Sequence, residues 1–285
     1  MSLPNLRLML PAVLVPLAAA VAAPAAGQTL VAPTVMTLGD RERFGTFLVD
    51  NRSDEPQEVT ISFKFGYSTS DPEGNRFFVY DDTAAAAAFG LHEQIRAFPR
   101  RFVLAPGDRQ IVRMSARPDP EAPDGVYWAR IVTASQPQSA AAERTEAEGV
   151  ATQVVFRLEQ VTTVLYRKGE VATGLETEAL EAGAQGDSLS VRLPLRRVGN
   201  APFYGRARLS VVAEDAAPAG VPPLDDELLF EVFFDRVLRF DVPLEGLPAG
   251  RYRVRVSLDS NRPDIPRDRR ITADPIALET TFSVP

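Results

Sequence analysis

Candidate groups for nucleophilic catalysis or metal binding are scarce in this chain. His92 is the only histidine and there is no cysteine, so thiol chemistry and disulfides are excluded. A serine–histidine pair would depend on His92 alone, and the chain contains no GxSxG turn. The glycines are dispersed singly and form no phosphate-cradling loop. We therefore expect a protein that is not an enzyme, with His92 on the surface or in a loop.

Two acidic clusters and one sequon need separate interpretation. Neither Asp81-Asp82 nor Asp225-Asp226-Glu227 has the spacing of a calcium-binding loop, so we expect solvated turn charges and no bound metal or cofactor. The tripeptide Asn51-Arg52-Ser53 matches a glycosylation sequon, but its turn-forming residues predict a turn between strands.

Composition narrows the class of partner. The chain has 38 acidic and 31 basic residues, and its formal net charge of −7 argues against a nucleic-acid partner. The hydrophobic fraction of 45% and the charged fraction of 24% are those of globular proteins. A length of 285 residues indicates roughly two domains, each large enough to bury its own core.

The first 27 residues have the pattern of a signal peptide. Arg7 precedes an apolar run, Leu8–Ala23, and small residues follow before Gln28. An uncleaved membrane anchor is the alternative, but Pro11 and Pro16 interrupt what is already a short span. We expect an exported protein whose mature chain begins at Gln28.

The most informative stretch is Val150–Lys168. Val154, Phe156 and Leu158 recur at spacing two, with the polar residues Gln153, Arg157 and Glu159 interleaved, which is typical of a strand with one apolar face. The following residues are richly β-branched and aromatic, as in a more buried strand. Such a segment would extend to ~60 Å, far beyond an ordinary strand. Either it crosses between two domains, or part of it offers an edge to another molecule.

The rest of the chain predicts an all-β protein. Strand patterns separated by turn signals occur throughout both halves, which indicates two β-sandwiches in tandem. Ser68–Arg96 is the least regular part, and Ala84–Gln94 fits either a short helix or an ordered loop. The predicted strands are Leu30–Leu38, Phe44–Asn51, Glu58–Tyr67, Phe98–Leu104 paired as a hairpin with Gln110–Ala116, Val126–Thr133, Ser188–Arg197, Phe203–Ala213, Leu228–Phe234, Val237–Val242, Arg251–Leu258 and Ile276–Val284.

The first half resembles a known family, the periplasmic chaperones of chaperone–usher pilus assembly. The resemblance covers roughly Gln28–Lys168 and depends on the spacing of a few segments: Phe44–Asn51, Phe98-Pro99 with Val103–Gly107 and Val112–Met114, Pro118–Trp128, and Leu165-Tyr166-Arg167. It implies two immunoglobulin-like sandwiches set at an angle, here expected at residues 28–168 and 169–285. It also implies a pilin-like subunit held in or near the cleft and delivered to an outer-membrane usher, with no small-molecule substrate.

The resemblance also implies roles for particular residues. Val154, Phe156 and Leu158 fall on the positions that complete the subunit's truncated sandwich, a form of β-augmentation. Alternatively, these three are simply core residues of the first sandwich. Asp124 and Arg167 match a charge pair at the domain junction, although Asp124 could be no more than the first residue of an Asp-Gly turn.

One departure from the family concerns the anchor for the subunit's terminal carboxylate. The two basic positions that the family uses fall on Val35 and Thr163, neither of which can neutralise a carboxylate. Lys168 or Arg167 could substitute, or the subunit could be held without such an anchor.

We therefore expect a periplasmic chaperone of pilus or fimbrial subunits. An exported structural or adhesive β-sandwich protein of the cell surface is the alternative. In such a protein the strand edge around Gln153–Leu158 should be covered by another element or carry charged side chains. A carbohydrate-binding or hydrolytic accessory domain would need exposed aromatic residues clustered in one cleft. The only tryptophan, Trp128, lies in a predicted strand and is expected in the core.

Overall fold

The computed structural model describes residues 29–138, 157–214, 224–245 and 248–284, and most of them lie in β-strands. The elements of the first part are β1 (Thr29–Ala32), β2 (Val35–Gly39), β3 (Phe44–Asn51), β4 (Gln57–Lys64), β5 (Tyr67–Ser70), β6 (Arg76–Val79), α1 (Thr83–Phe89), β7 (Ile95–Phe98), β8 (Arg101–Leu104), β9 (Arg109–Ala116), β10 (Gly125–Pro137) and β11 (Leu158–Lys168). Those of the second part are β12 (Thr173–Thr177), β13 (Glu181–Gln185), β14 (Ser188–Gly199), β15 (Phe203–Ala213), β16 (Leu224–Val232), β17 (Asp235–Pro243), β18 (Gly250–Asp259), a 3-10 turn (Arg267–Arg269) and β19 (Ile276–Val284). The all-β fold class is confirmed.

The first sandwich consists of two sheets packed face to face. One has the strand order β1-β3-β9-β7 and the other β2-β11-β10-β4-β8. Alternation within the strands supplies the core, since Val49 and Val112 of the first sheet and Val164 and Tyr166 of the second are all buried in it. This is the two-sheet architecture of immunoglobulin-like domains.

The predicted first strand is divided between the two sheets. Its first half, β1, pairs with β3, and its second half, β2, runs parallel to β11. Pro33 lies between the halves and has no N–H to continue a ladder, so the strand is interrupted there.

One predicted pairing is wrong. The segments either side of the turn Ala105–Asp108 were expected to form a hairpin, but β8 pairs with β4 whereas β9 pairs with β3 and β7. Asp108 N–H donates to the Ala105 carbonyl oxygen at 3.0 Å, and Gly107 has a φ of +77°. The turn is therefore tight, but it carries the chain from one sheet to the other.

The irregular segment Ser68–Arg96 contains both a hairpin and a helix. β5 and β6 pair with each other, and α1 follows with Asp82 as its N-cap, accepting from Ala85 N–H at 2.9 Å. The alanine run thus forms the short helix that was one of the two predicted options.

The second sandwich also matches the expected class. One sheet has the order β12-β14-β13 with β17 beside β14, and the other the order β16-β15-β18-β19. The alternation of Tyr252, Val254, Val256 and Leu258 in β18 places all four in the core. The short strands β12 and β13 were not predicted, because their polar, glycine-containing sequences carry little strand signal.

A third apolar cluster joins the two sandwiches. Trp128 is fully buried, as expected, but it lies at this junction, where its ring is 4.9 Å from that of Phe233 and 5.2 Å from that of Phe89. The junction therefore contributes hydrophobic burial of its own. Among the described residues, no helix has both the length and the apolar character needed to span a membrane.

Candidate functional site

The two edges of β11 are paired to different extents. On one side it is paired with β10 along its whole length, from Leu158 opposite Ser135 to Lys168 opposite Gly125. On the other side β2 covers only Thr163–Arg167. Within the described part of the chain, the outer edge of residues 158–162 therefore has no strand partner, and its backbone groups are free for another strand.

Two side chains on this open edge are apolar and partly exposed. Leu158 is 40% exposed and Val161 is 38% exposed. By alternation Leu158 shares a face with Val164 and Tyr166, which lie in the core of the first sandwich. Leu158 thus marks the place where the apolar face of β11 extends beyond its own core. Val154 and Phe156, predicted on the same face, lie outside the described residues.

A row of four cross-strand neighbours crosses the sheet at the level of Thr163. Val35 of β2 is opposite Thr163, Thr163 is opposite Arg130 of β10, and Arg130 is opposite Lys64 of β4. Directly opposed residues of a sheet present their side chains on the same face. The two uncharged positions that stood out in the sequence are thus immediate neighbours, and cations occupy the next two places of the same row.

Arg130 is held tightly at the centre of this row. It is only 4% exposed, its Nη1 donates to Thr163 Oγ1, and its Nε donates to the Gly66 carbonyl oxygen at 3.0 Å. Its guanidinium carbon lies 4.9 Å from the ring centroid of Phe233 and 5.3 Å from that of Phe78. Nη2 is buried without a hydrogen-bond partner, so one donor of the cation is left unused.

The aromatic residues of the β5–β6 hairpin cover the same row. Lys64 Nζ lies 3.8 Å from the ring centroid of Tyr80, and the rings of Tyr80 and Phe78 are stacked with centroids 6.0 Å apart. Phe77, Phe78 and Tyr80 all remain exposed. The hairpin therefore screens the cations with aromatic faces, which attract them electrostatically.

The predicted junction residues lie on or beside the paired strands β10 and β11 but make contacts other than the predicted charge pair. The Asp124 carboxylate accepts from Glu170 N–H at 3.0 Å, and within the described residues no ion pair joins it to Arg167. Arg167 is half-buried, and burial together with the nearby cation of Arg269 lowers its pKa. Lys168, the proposed substitute anchor, donates through Nζ to the Ala122 carbonyl oxygen.

A contact that sequence reasoning missed fixes the end of β11. Tyr166 Oη donates to Asp40 Oδ1 at 3.0 Å, and Gly169 N–H donates to Asp40 Oδ2 at 3.0 Å. The Gly169 bond, with Tyr166 and nearby cations, lowers the pKa of Asp40. Asp40 follows β2 directly, so it secures the parallel β2–β11 pair where that pair ends.

A second missed feature is a buried ionic cluster around Glu231 of β16. Ser68 Oγ donates to Glu231 Oε1 at 2.5 Å, and Arg76 Nη2 lies 2.6 Å from the same oxygen. Arg262 and Arg236 approach the carboxylate at 3.4 and 3.8 Å. Burial opposes ionisation of Glu231, but Arg76, Ser68 and the other arginines outweigh it, and its pKa is lowered.

The cluster holds the two sandwiches in a defined arrangement. Ser68 and Arg76 belong to the hairpin of the first sandwich, whereas Glu231, Arg236 and Arg262 belong to the second. The hairpin makes further bonds to β17, since Val237 N–H donates to Ser70 Oγ at 2.8 Å. Only the fold brings these residues together; no spacing along the chain could reveal them.

The remaining candidate groups have structural roles. His92 lies, as predicted, in a turn, between α1 and β7. Asp82 caps α1 and accepts from Tyr67 Oη at 2.8 Å, whereas Asp225-Asp226-Glu227 is exposed but lies on strand β16 and not in a turn. Asn51 is fully buried with its amide bonded to backbone carbonyls, so its side chain is no site for a glycan in the folded protein. No cluster of three or more potential metal ligands occurs among the described residues.

Comparison with known proteins gives similarity in structure alone. No family model and no curated protein sequence matches the chain. The fold is similar to the YadV chaperone over 90% of this chain and 99% of that one, at 12% identity and a TM-score of 0.42. It is similar to a chain of the Salmonella enterica SafA pilin–SafB chaperone complex over 91% and 99% of the two chains, at 14% identity and a TM-score of 0.41. For the class 5 fimbriae chaperone CfaA the shares are 90% and 100%, at 12% identity and a TM-score of 0.41.

Proposed function

We propose that this chain is an exported, non-enzymatic chaperone that holds incomplete β-sandwich subunits of a pilus or fimbria and delivers them to an outer-membrane usher. In this proposal residues 1–27 direct export to the periplasm, and the two sandwiches are separate domains that meet near Gly169. The observation that supports it best is the half-paired strand β11, whose outer edge is open at residues 158–162 beside exposed Leu158 and Val161.

An open edge of this kind suits strand addition. A subunit that lacks one strand of its sandwich would pair its backbone with Leu158–Thr162 and with the residues that precede them. Val154, Phe156 and Leu158 would then enter the subunit's apolar groove from one face. Full burial of each such side chain contributes about 1.5–3 kcal/mol, and the ladder of backbone hydrogen bonds fixes the register.

The cation row supports an anchor for the subunit's terminal carboxylate. In this proposal Lys64 and Arg130 replace the cations that the family places at the positions of Val35 and Thr163. Arg130 contacts Thr163 directly, and Lys64 is the next residue of the row. Lys168 remains a further candidate, although its ammonium group already donates to the Ala122 carbonyl. Movement of the exposed Phe78 and Tyr80 rings would open the row to a carboxylate.

The proposal requires no cofactor or nucleotide. The subunit leaves when its neighbour in the fibre supplies a better-fitting strand, and the free energy of completing the subunit's own fold drives the exchange.

The test is co-purification with a pilin-like subunit encoded beside this chain. Replacing Phe156 by Asp places a charge in the proposed apolar groove, so capture of the subunit should be lost while the free protein stays folded, as judged by circular dichroism. Lys64→Glu should weaken capture, because the introduced carboxylate repels the terminal carboxylate of the subunit. A subunit that lacks its last residues has lost that carboxylate, so wild type and Lys64→Glu should capture it equally.

Val103→Asp is the matched control. Val103 is an exposed apolar residue on β8, the opposite edge strand of the same sheet, so a charge there should leave capture unchanged. Retained capture by the Phe156→Asp variant would contradict the proposal, as would equal loss in the Val103→Asp variant.

A further inference from the structure

The strand β19 forms an open edge of the second sandwich. In the sheet β16-β15-β18-β19 it pairs with β18, from Ile276 opposite Leu258 to Val284 opposite Gly250. Within the described residues, no backbone hydrogen bond joins the other side of β19 to another segment. A strand of nine residues therefore presents a row of unpaired N–H and C=O groups, which is a template for another strand.

Apart from the open part of β11, the other free edges of the described chain are short, charged or covered. The edge strands β1, β2, β7, β8, β12 and β13 have four or five residues each. β16 is as long as β19 but carries Asp225-Asp226-Glu227. On β17, Val237 N–H donates to Ser70 Oγ at 2.8 Å, and the strand ends at Pro243. β19 contains no proline, lysine or arginine, so it lacks the usual protection of an edge.

The inward side chains of β19 are incompletely covered. Ile276, Leu278 and Val284 pack against the core of the second sandwich but are only partly buried, whereas Phe282 is 8% exposed. A further strand beside β19 would complete their burial. Because burial of apolar surface is the main favourable contribution to association, the edge gains free energy when it is paired.

The inward residues of β19 are symmetrical about Thr280. When two copies of β19 pair antiparallel across a two-fold axis at Thr280, Ile276 of one copy lies opposite Val284 of the other. In the same register Leu278 lies opposite Phe282. Each apolar residue therefore meets an apolar residue, which is the kind of cross-strand pair that stabilises a sheet.

The outward residues fit the same register. Glu279 lies opposite Thr281 of the second copy, so like charges are not opposed. Within its own copy Glu279 is 3.6 Å from Arg255, and Thr281 is opposite Arg253. The row across the axis therefore reads Arg255, Glu279, Thr281 and Arg253, with the acidic residue between two cations. On β16 the same kind of pairing would bring two acidic clusters together, so the charges favour β19.

We propose that β19 pairs with β19 of a second copy of this chain, so that the two four-stranded sheets become one continuous sheet. Both copies use the same residues, as a two-fold interface requires, and the pairing occupies both edges, so that assembly stops at a dimer. The contact lies in the second sandwich and leaves the open edge of β11 free. It therefore does not depend on the proposed chaperone function.

The first test is sedimentation equilibrium of the full-length chain, which should show a monomer–dimer equilibrium. Thr281→Glu places a carboxylate opposite Glu279 of the second copy at two positions in the dimer. It should raise the dissociation constant by about tenfold. Thr281→Lys places an ammonium group at the same positions and should lower the dissociation constant by about the same factor.

The same two variants should change the stability of the monomer in the opposite direction. Within one copy residue 281 is opposite Arg253, so Thr281→Glu gains an ion pair and Thr281→Lys gains a repulsion. Urea unfolding of dilute protein measures this, and it separates weaker pairing from a weaker fold. Val212→Glu is the matched control, because Val212 is exposed and also opposite Arg253 but lies on β15, two strands from the edge. Its dissociation constant should equal that of wild type.

The second test reports the register. The chain has no cysteine, so one introduced cysteine can form a disulfide only with another copy. Thr280→Cys should give a disulfide-linked dimer under mild oxidation, because opposed residues have Cα atoms about 4.5–5.5 Å apart, within the range of a disulfide. Ser283→Cys is the control. In this register Ser283 lies opposite Ala277, so its two copies are about 20 Å apart and should not be linked.

Three results would overturn the inference. One is a chain that stays monomeric up to about 1 mM. Another is a dimer with the same dissociation constant in wild type, Thr281→Glu and Thr281→Lys, because a different surface would then hold it together. The third is a disulfide-linked dimer of Ser283→Cys with none of Thr280→Cys, which would exclude the two-fold axis at Thr280.

Discussion

Replacing Glu231 by Gln removes, among the described residues, the one carboxylate that pairs with Arg236. The side chains of Glu231 and Arg236 are each only 8% exposed, and that of Arg262 is 11% exposed. After the substitution, Arg262 keeps Asp264 at 2.8 Å, but Arg236 keeps only the carbonyl oxygen of residue 231 at 3.2 Å. The variant therefore leaves a buried cation without a counter-ion.

The expected loss of stability follows from that uncompensated charge. Removing one partner of a buried ion pair costs about 3–5 kcal/mol. The amide oxygen of the introduced glutamine can still accept the Ser68 hydrogen bond, and Arg76 is half-exposed, so the free energy of unfolding should fall by about 3 kcal/mol, the low end of that range. For a chain of this size, each kcal/mol corresponds to about 2–4 °C in Tm, which gives a shift of about 6–12 °C.

Urea unfolding followed by circular dichroism, together with calorimetry, measures the change. Glu279→Gln is the matched control, because its pair with Arg255, at 3.6 Å, is exposed on both sides and should contribute less than about 1 kcal/mol. Equal stability of the Glu231→Gln and Glu279→Gln variants would refute the assignment of Glu231 as the centre of the buried ionic cluster.

The pH dependence gives a second check on the same group. The folded-state pKa of Glu231 lies below its unfolded value. The stabilisation of the folded protein by its charge is therefore complete above the unfolded pKa of about 4.3 and is lost as the pH falls through the folded pKa. The free energies of unfolding of wild type and Glu231→Gln should therefore differ by the same amount at about pH 7 and at about pH 6, and this difference should become smaller only below about pH 4. A difference that disappears already at about pH 6 would contradict an ionised, paired Glu231.

Two further predictions concern groups that the fold buries. Asn51→Ala should lower the free energy of unfolding by about 2–3 kcal/mol, because it leaves the carbonyls of Glu55, Leu104 and Ala105 without their amide donor. Urea unfolding measures this change, and a decrease of less than about 0.5 kcal/mol would contradict the prediction. Burial raises the pKa of Tyr67 and of Tyr204 to about 12, with the Asp82 bond adding to the effect at Tyr67. Spectrophotometric titration should show both phenols still protonated at about pH 11, so the Tyr67→Phe and Tyr204→Phe variants should each have one phenol fewer that titrates above that pH than wild type has. Equal numbers of such phenols in wild type and in the variants would contradict the prediction.

The sequence determined where several strands lie. Phe44–Asn51, Phe203–Ala213 and Ile276–Val284 were predicted with the bounds that the structure has, because strand-forming residues between turn signals can be recognised without knowledge of the partner strand. Period-two alternation, as in β18, also identifies the buried face of a strand. The same pattern placed Val154, Phe156 and Leu158 on one face. Of these the structure describes only Leu158, so their shared role stays a prediction.

The tertiary structure decided which strands are neighbours and which charges meet. Alternation is local and carries no register, so the sequence could not separate β8 from β9 into different sheets. Nor could it place Lys64, Arg130, Thr163 and Val35 in one row, because these residues are far apart along the chain and meet only through the order β2-β11-β10-β4. The Glu231 cluster is the extreme case, since its partners belong to two sandwiches and become neighbours only when the apolar junction around Trp128 has formed.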